Sequence, residues 1–316
     1  MLDRNTYKVF EFKINEYMRY FAVYQFLFPI HEAFVYEFKD YLKKDLELIT
    51  TDDFINMSFE SKNNVFIFLV SYTAKRDDAR YLSKIKSEKS KGNLIVFYND
   101  IELNMPDVYH KHILKHDIYK LYNQIWSYDD SHQSLIENVK VPFYYVPYGY
   151  SKYYEICKKY VKLEYDFLFF GRTSKYGHYR KMQLDILKKH GLNIKIVTDK
   201  YGDELLQELL KAKIILNIKS GENIIDLDFP RYSLLIGLNK FFLTDTYNDK
   251  SGVEDTLKDM FGFQFCKNRD DMITKAKEYT KYPIEKLNDL SKEGYDKYKM
   301  EYCNYLDCLK SNELFI

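Results

Sequence analysis

The sequence predicts an α/β protein of two Rossmann-like domains with a cleft between them, and three observations carry that prediction. Short apolar runs alternate with helix-patterned segments between residues 165 and 245. A looser version of the same alternation fills the first half. Between the halves, Pro147-Tyr148-Gly149-Tyr150 and a charged segment from Lys152 to Glu164 interrupt the pattern, as a domain boundary does. The expected division is residues 1–150, residues 151–283 and a helical tail at 284–316 that returns to the first domain.

In the first half, Tyr7 to Ile14 alternates like a strand. Phe21 to Ile30 is apolar but too short to span a bilayer. Ile30 to Lys44 places Phe34, Tyr36, Phe38 and Leu42 on an amphipathic helix. Leu46–Thr50, Val65–Val70 and Leu94–Tyr98 read as strands, the last two apolar enough to be buried on both faces. His110–Leu121 and Asp129–Asn138 read as helices, with short strands at Gln124–Tyr128 and Phe143–Pro147.

In the second half the strand Asp166–Phe170 ends at the polar loop Gly171-Arg172-Thr173-Ser174-Lys175. A helix from Tyr179 to His190 stops at Gly191, a good residue for the left-handed position after a helix. Strand Ile194–Val197, helix Asp203–Lys211 and strand Ile214–Ile218 follow. Single helices between strands require parallel pairing with right-handed crossovers. Beyond Asp245 come a helix at Val253–Met260, a strand at Phe263–Cys266, a helix at Asp270–Tyr282 and the helical tail Pro283–Leu314. In such sheets ligands sit beyond the carboxyl ends of the strands. That directs attention to residues 171–180, 198–202, 217–231 and 244–252.

Composition limits the function. The 316 residues suffice for two cores, and a hydrophobic content of 46% excludes a disordered chain. Lys+Arg 48 against Asp+Glu 47 leaves a formal charge of +1, which argues against a dedicated nucleic-acid or anionic-membrane binder. The 32 tyrosines are read as compositional bias before a binding role. Cysteines 157, 266, 303 and 308 form no Cys-x-x-Cys pair, so reduced thiols are expected. The polar start Met1–Asn5 precedes no signal pattern, and a cytoplasmic protein without a transmembrane segment is expected.

Four segments in order resemble glycosyltransferase-like proteins of the GT-B architecture, bacterial and viral. They are Tyr98-Asn99-Asp100-Ile101-Glu102, Trp126-Ser127-Tyr128-Asp129, Val146-Pro147-Tyr148-Gly149-Tyr150, and a final group. That group runs through Asp166–Gly171, Arg180, Ala212–Ile218 and Asp228-Phe229-Pro230-Arg231. The resemblance covers roughly residues 65–250. It departs from the family at Arg172, where a serine is usual, and at Asp228, where a glutamate is usual.

The resemblance implies glycosyl transfer from a nucleotide sugar without metal and without a separate cofactor. The leaving diphosphate then needs backbone N–H groups and cations. Gly171, Thr173 and Ser174 are candidates for the first, and Arg172, Lys175, Arg180 and Arg231 for the second. An arginine fork can hold two phosphate oxygens at once. Asn217, Lys219 and Asp245, at the ends of strands in the same half, complete the expected donor set. Asp226 and Asp228 form an Asp-x-Asp pattern that elsewhere binds divalent metal; here they suit sugar or ribose hydroxyls, or the start of the helix near Pro230.

His31 is the candidate base, with Arg231 assisting the leaving group. Tyr98, Asn99 and Glu102 are the candidate acceptor contacts. His112 and His116 have a zinc-like spacing but no third ligand nearby in sequence, so no metal site is expected. The expected acceptor is a glycan, a protein or a small molecule. Two other readings stay open: an inactive binding module on this fold, and a nucleotide-sugar epimerase of the same architecture. Dinucleotide oxidoreduction is disfavoured, because no Gly-x-Gly-x-x-Gly follows any strand.

Overall fold

The computed structural model describes residues 18–24, 29–42, 46–59, 62–69, 79–99, 118–128, 133, 140–146, 149–157, 161–173, 178–219, 221–222, 229–246 and 253–302. Its elements form two parallel sheets in sequence order. The first half holds β1 (Arg19–Tyr24), α1 (Pro29–Leu42), β2 (Leu46–Thr50), α2 (Thr51–Asn56), β3 (Asn64–Phe68), α3 (Ala79–Ser90), β4 (Leu94–Asn99), a 3-10 turn (Ile118–Leu121), β5 (Gln124–Ser127) and β6 (Phe143–Tyr145). The short helix α4 (Tyr153–Cys157) lies in the crossover. The second half holds β7 (Tyr165–Phe170), α5 (His178–Lys189), β8 (Ile194–Val197), α6 (Gly202–Leu210), β9 (Ala212–Asn217), α7 (Phe229–Gly237), β10 (Phe242–Asp245), α8 (Val253–Phe261), β11 (Phe265–Cys266), α9 (Arg269–Tyr279) and α10 (Ile284–Glu301).

The first sheet has the order β2-β1-β3-β4-β5-β6 and the second β11-β10-β9-β7-β8. Every described pairing is parallel. Strand order therefore reverses between β1 and β3 in one sheet and between β7 and β9 in the other. These are the switch points where crossover helices leave on opposite faces and open a crevice.

Alternation of side chains sorts the cores. Tyr20, Ala22, Val65, Ile67, Val96 and Tyr98 point into one cluster, while Phe21, Val23, Phe66, Phe68, Ile95 and Phe97 point into another, under α2 and α3. In the second sheet Leu168 and Phe170 join the first cluster, and Phe167 and Phe169 join a third, under α5 and α9. The first cluster is thus shared by both halves. It is completed by Ala33, Phe34 and Phe38 of α1, Leu205 and Leu206 of α6, and Leu234 and Leu235 of α7.

Several expectations change. The strand Tyr7–Ile14, residues 110–117 of the helix expected at His110–Leu121 and the helix Asp129–Asn138 fall outside the described residues, apart from Gln133, which is helical. Arg19–Tyr24, whose last four residues open the apolar run Phe21 to Ile30, is a central strand between β2 and β3. The strand at Phe263–Cys266 shortens to Phe265–Cys266, because residues 262–264 close a 3-10 turn first. Through residue 302 the tail helix packs on α7 and α8 of the second half, and the rest of the expected tail lies outside the described residues. The helix also reaches the crossover, where Tyr150 N–H donates to Tyr302 O at 3.1 Å and Lys299 pairs with Glu155 at 2.8 Å. No helix among the described residues is long and apolar enough to cross a membrane.

Two acids on α1 fasten the crossover. The Glu37 carboxylate accepts from Ser151 Oγ at 2.7 Å and from Lys152 N–H at 2.9 Å. Glu32 accepts from the Tyr153 hydroxyl at 3.0 Å and lies beside Gly202 at the start of α6. Opposing α1 are therefore the crossover and the second half together. Burial raises the Glu32 carboxyl above its ordinary value; the Tyr153 hydroxyl lowers it, Asp203 raises it and His31 lowers it. Burial likewise raises Glu37, against the Ser151 and Lys152 hydrogen bonds.

Two outcomes are expected. A Cβ at Gly294 of α10 would lie 2.6 Å from the Met260 carbonyl and 2.5 Å from the Phe261 ring. Backbone cannot yield as a flexible side chain does, so Gly294→Ala should lower unfolding free energy by about 1–2 kcal/mol, overpacking outweighing the helix-propensity gain. Urea titration measures it, and a stabilised variant would show that α8 and α10 sit farther apart. For Glu32, the folded chain keeps its proton to higher pH than the unfolded chain. Stability from this residue is therefore greatest below the unfolded value and falls as pH rises through the folded one. Glu32→Gln should gain stability relative to the parent between about pH 4 and about pH 7. An equal difference at both pH values would mean the carboxyl is solvated.

Candidate functional site

The carboxyl ends of β7, β9 and β10 bring together six of the residues singled out by sequence. Phe169 and Phe170 project to opposite faces of β7, yet the Arg231 guanidinium lies 5.9 Å from the first ring and 4.6 Å from the second. A group that close to both faces sits over the strand's end. α7 begins just after the β9 loop and delivers Arg231 there from its first turn. Gly171, at φ +127°, makes room: a Cβ at this position would run into an Nη of Arg231. That φ is one that only glycine adopts readily.

Arg180, on the first turn of α5, approaches the same Phe169 ring at 6.0 Å from its guanidinium. Its Nε donates to Ile218 O at 2.9 Å, so α5 is tied to the end of β9. Next along, Lys219 N–H donates to Asp245 Oδ2 at 3.2 Å and its Nζ to Thr246 O at 3.4 Å. Burial raises the Asp245 carboxyl, while the Lys219 N–H and the charges of Lys219, Arg180 and Arg269 hold it down. Asn217 is fully buried at the end of β9 and donates from Nδ2 to Thr244 Oγ1 at 3.2 Å. Its Oδ1 has no hydrogen-bond partner among the described residues.

Sequence reasoning missed Arg269 and Gln183. Arg269 Nε donates to Gln183 Oε1 at 2.6 Å, and Gln183 lies one turn beyond Arg180 on α5. Arg269 opens the helix that follows β11, so asking which cation follows each strand would have found it. The edge thus collects Arg180, Lys219 and Arg269 near Asp245, with Arg231 at the neighbouring end of β7 and Glu222 and Asp245 both close to Tyr179. Cations gathered at strand ends, beside a glycine turn and helix starts, suit an anion such as a diphosphate.

Other expectations are corrected or fall outside the description. The Gly171 N–H donates to Val197 O at 3.0 Å, so it is spent within the sheet and does not join a phosphate cradle. Arg172 is exposed and Thr173 half-buried just beyond it. Ser174, Lys175, Asp226, Asp228 and Glu102 lie outside the described residues, and only the backbone of Asn99 is described. Tyr98, expected at the acceptor, is buried, stacks on Phe34 at 4.8 Å, and donates to Val146 O at 3.0 Å. His31, in the first turn of α1, is 1% exposed; its neighbour Glu32 holds the junction between the halves.

No family model and no curated protein sequence matches the chain. Solved structures do. The DNA-modifying enzyme β-glucosyltransferase, determined with and without uridine diphosphoglucose, superposes with a TM-score of 0.57 at 11% identity, over 94% of this chain and 99% of that one. T4 phage β-glucosyltransferase in complex with UDP-glucose gives 0.58 at 12% identity, over 93% and 99%. The same phage enzyme with UDP and Mn2+ gives 0.56 at 11%, over 94% and 99%. The likeness spans both sheets and is one of fold: this chain has the two-domain α/β architecture of GT-B glycosyltransferases.

Proposed function

We propose that this chain is a cytoplasmic glycosyltransferase that moves a sugar from a nucleotide-sugar donor to an acceptor hydroxyl. One observation carries the reading. Arg180 and Arg231 arrive from two different helices around one ring, Phe169, at the switch point between β7 and β9. Two like charges held together at the place where this architecture binds ligands favour a polyanion, and a diphosphate fits two guanidinium forks. During transfer the acceptor oxygen bonds to the anomeric carbon as the bond to the diphosphate breaks. The leaving diphosphate keeps that electron pair, and the acceptor proton passes to a base. Arg231 and Arg180 neutralise the charge that develops. Glu32 replaces His31 as the candidate base, because its carboxylate lies at the junction of the halves and burial moves it toward neutrality.

The UDP-glucose held by the structural neighbours makes that compound the first donor to test. The near-zero formal charge favours a glycan, protein or small-molecule acceptor over DNA; transfer to DNA in a parallel assay would overturn that choice. Slow release of nucleoside diphosphate from a nucleotide sugar without acceptor separates an enzyme from a binding module on the same fold.

Arg231→Ala should weaken UDP binding by roughly ten- to a hundredfold, the loss of one charge-assisted contact of about 1.5–3 kcal/mol. Arg231→Lys should recover part of it, since an ammonium cannot grip two oxygens in one plane. Calorimetry decides: an alanine variant that binds UDP like the parent moves the donor site elsewhere. The protein's own cations also make donor binding independent of metal in this proposal. UDP affinity should be unchanged by EDTA, and a loss restored by a divalent ion would return Asp226 and Asp228 as ligands.

A further inference from the structure

Behind the arginines lies a buried hydroxyl that the reaction does not touch. Thr244, fully buried on β10, has one O–H to give and two lone pairs to fill. Asn217 Nδ2 donates to its Oγ1 at 3.2 Å. The hydroxyl donates to Asp245 O at 3.2 Å. The Tyr232 hydroxyl lies 2.6 Å away, in a contact where either oxygen could carry the proton. With the threonine proton already given to Asp245, Tyr232 is the donor, and every hydrogen-bonding position of Thr244 is filled. One hydroxyl thus joins the end of β9, the end of β10 and the first turn of α7.

Tyr232 is the residue next to Arg231. Its ring is stacked on Phe265 at 5.8 Å and 8° between planes, and edge-on to Phe242 at 5.8 Å. These partners set the plane of the ring, and the hydroxyl fixes how far it enters. Ser233, one residue on, donates to Gly149 O at 2.8 Å, which holds the helix from the crossover side. Rotation of the first turn of α7 about its axis is set by these bonds, and with it the direction in which Arg231 leaves the helix.

We infer that Tyr232 and Thr244 are positioning residues for Arg231, holding its guanidinium over the end of β7 through the Tyr232 hydroxyl. The consequence for donor binding rests on the function proposed above; the positioning itself does not.

The experiment separates the two. Tyr232→Phe keeps both ring contacts and removes only the hydroxyl. In the unliganded protein, the Nε–H resonance of Arg231, assigned with Arg231→Lys, should shift into the envelope of solvent-exposed arginines in Tyr232→Phe. Thr244→Ser, which retains the hydroxyl, should leave that resonance in place. UDP affinity, read by calorimetry, should fall roughly three- to tenfold in Tyr232→Phe and not fall further when the change is made in Arg231→Ala. An unmoved Arg231 resonance overturns the inference whatever UDP does. A shifted resonance in a parent protein that does not bind UDP leaves the positioning intact and sinks the donor reading. An equal loss of UDP affinity in the Arg231→Ala background shows that Tyr232 acts by another route and also overturns the inference.

Discussion

Burial of α1 against both halves at once is the constraint on which the rest of the molecule depends. Phe34 and Phe38 pack on Tyr98 and Trp126 of the first sheet. The same helix touches α4, α6 and α7. Its acids hold the crossover at residues 151–153, and Glu32 meets the start of α6. α1 follows β1 and α6 follows β8, so contact between their first turns brings the carboxyl edges of the two sheets toward each other. The shared apolar cluster between the sheets makes this contact the lowest-cost arrangement, since separating the halves would expose leucines and phenylalanines of both. Gly237 fits the same scheme: a Cβ there would run into the Tyr154 ring, so α7 approaches the crossover as closely as backbone allows.

Within that frame, and among the described residues, the cations Arg180, Lys219, Arg231 and Arg269 outnumber the acids Glu222 and Asp245 at the carboxyl edge of the second sheet. The raised Asp245 carboxyl shows that burial outweighs three nearby cations. This carboxyl faces Arg180, Lys219 and Arg269, and Arg231 lies over the aromatic end of β7. Aromatic faces attract a guanidinium without neutralising it. The Phe170 ring therefore directs Arg231 without itself neutralising the guanidinium.

Much of the second half was legible because its strands are short, continuous and bounded by glycine or polar turns. Ile194–Val197 matches residue for residue, and the helices around it match within two residues. β1 was missed because Arg19–Tyr24 merges into the longer apolar stretch that follows it. α2 was missed because its capping box closes with Asp53, where glutamate or glutamine is the familiar signal. α3 hides Tyr81 and Ile85 among lysines and serines. At the site, Arg180 and Arg231 could be found from the turns they follow. The burial of His31 and Tyr98, the use of the Gly171 N–H within the sheet and the meeting of Glu32 with Gly202 are tertiary facts. No local pattern encodes them.

The tyrosines show the difference between composition and placement. Their number alone pointed to bias, and the structure gives several a common task at the joints of the fold. Tyr98 ties β4 to the crossover through Val146, Tyr153 ties the crossover to α1 through Glu32, and Tyr232 ties α7 to β10 through Thr244. Each places a large ring in the shared core and carries a hydroxyl to a polar group at its far side, which phenylalanine cannot do and a shorter serine cannot reach. A biased composition can supply the residue, but these positions need both halves of it. The joints that orient Arg231 and Glu32 are therefore made by the residue type whose abundance carried least information in the sequence.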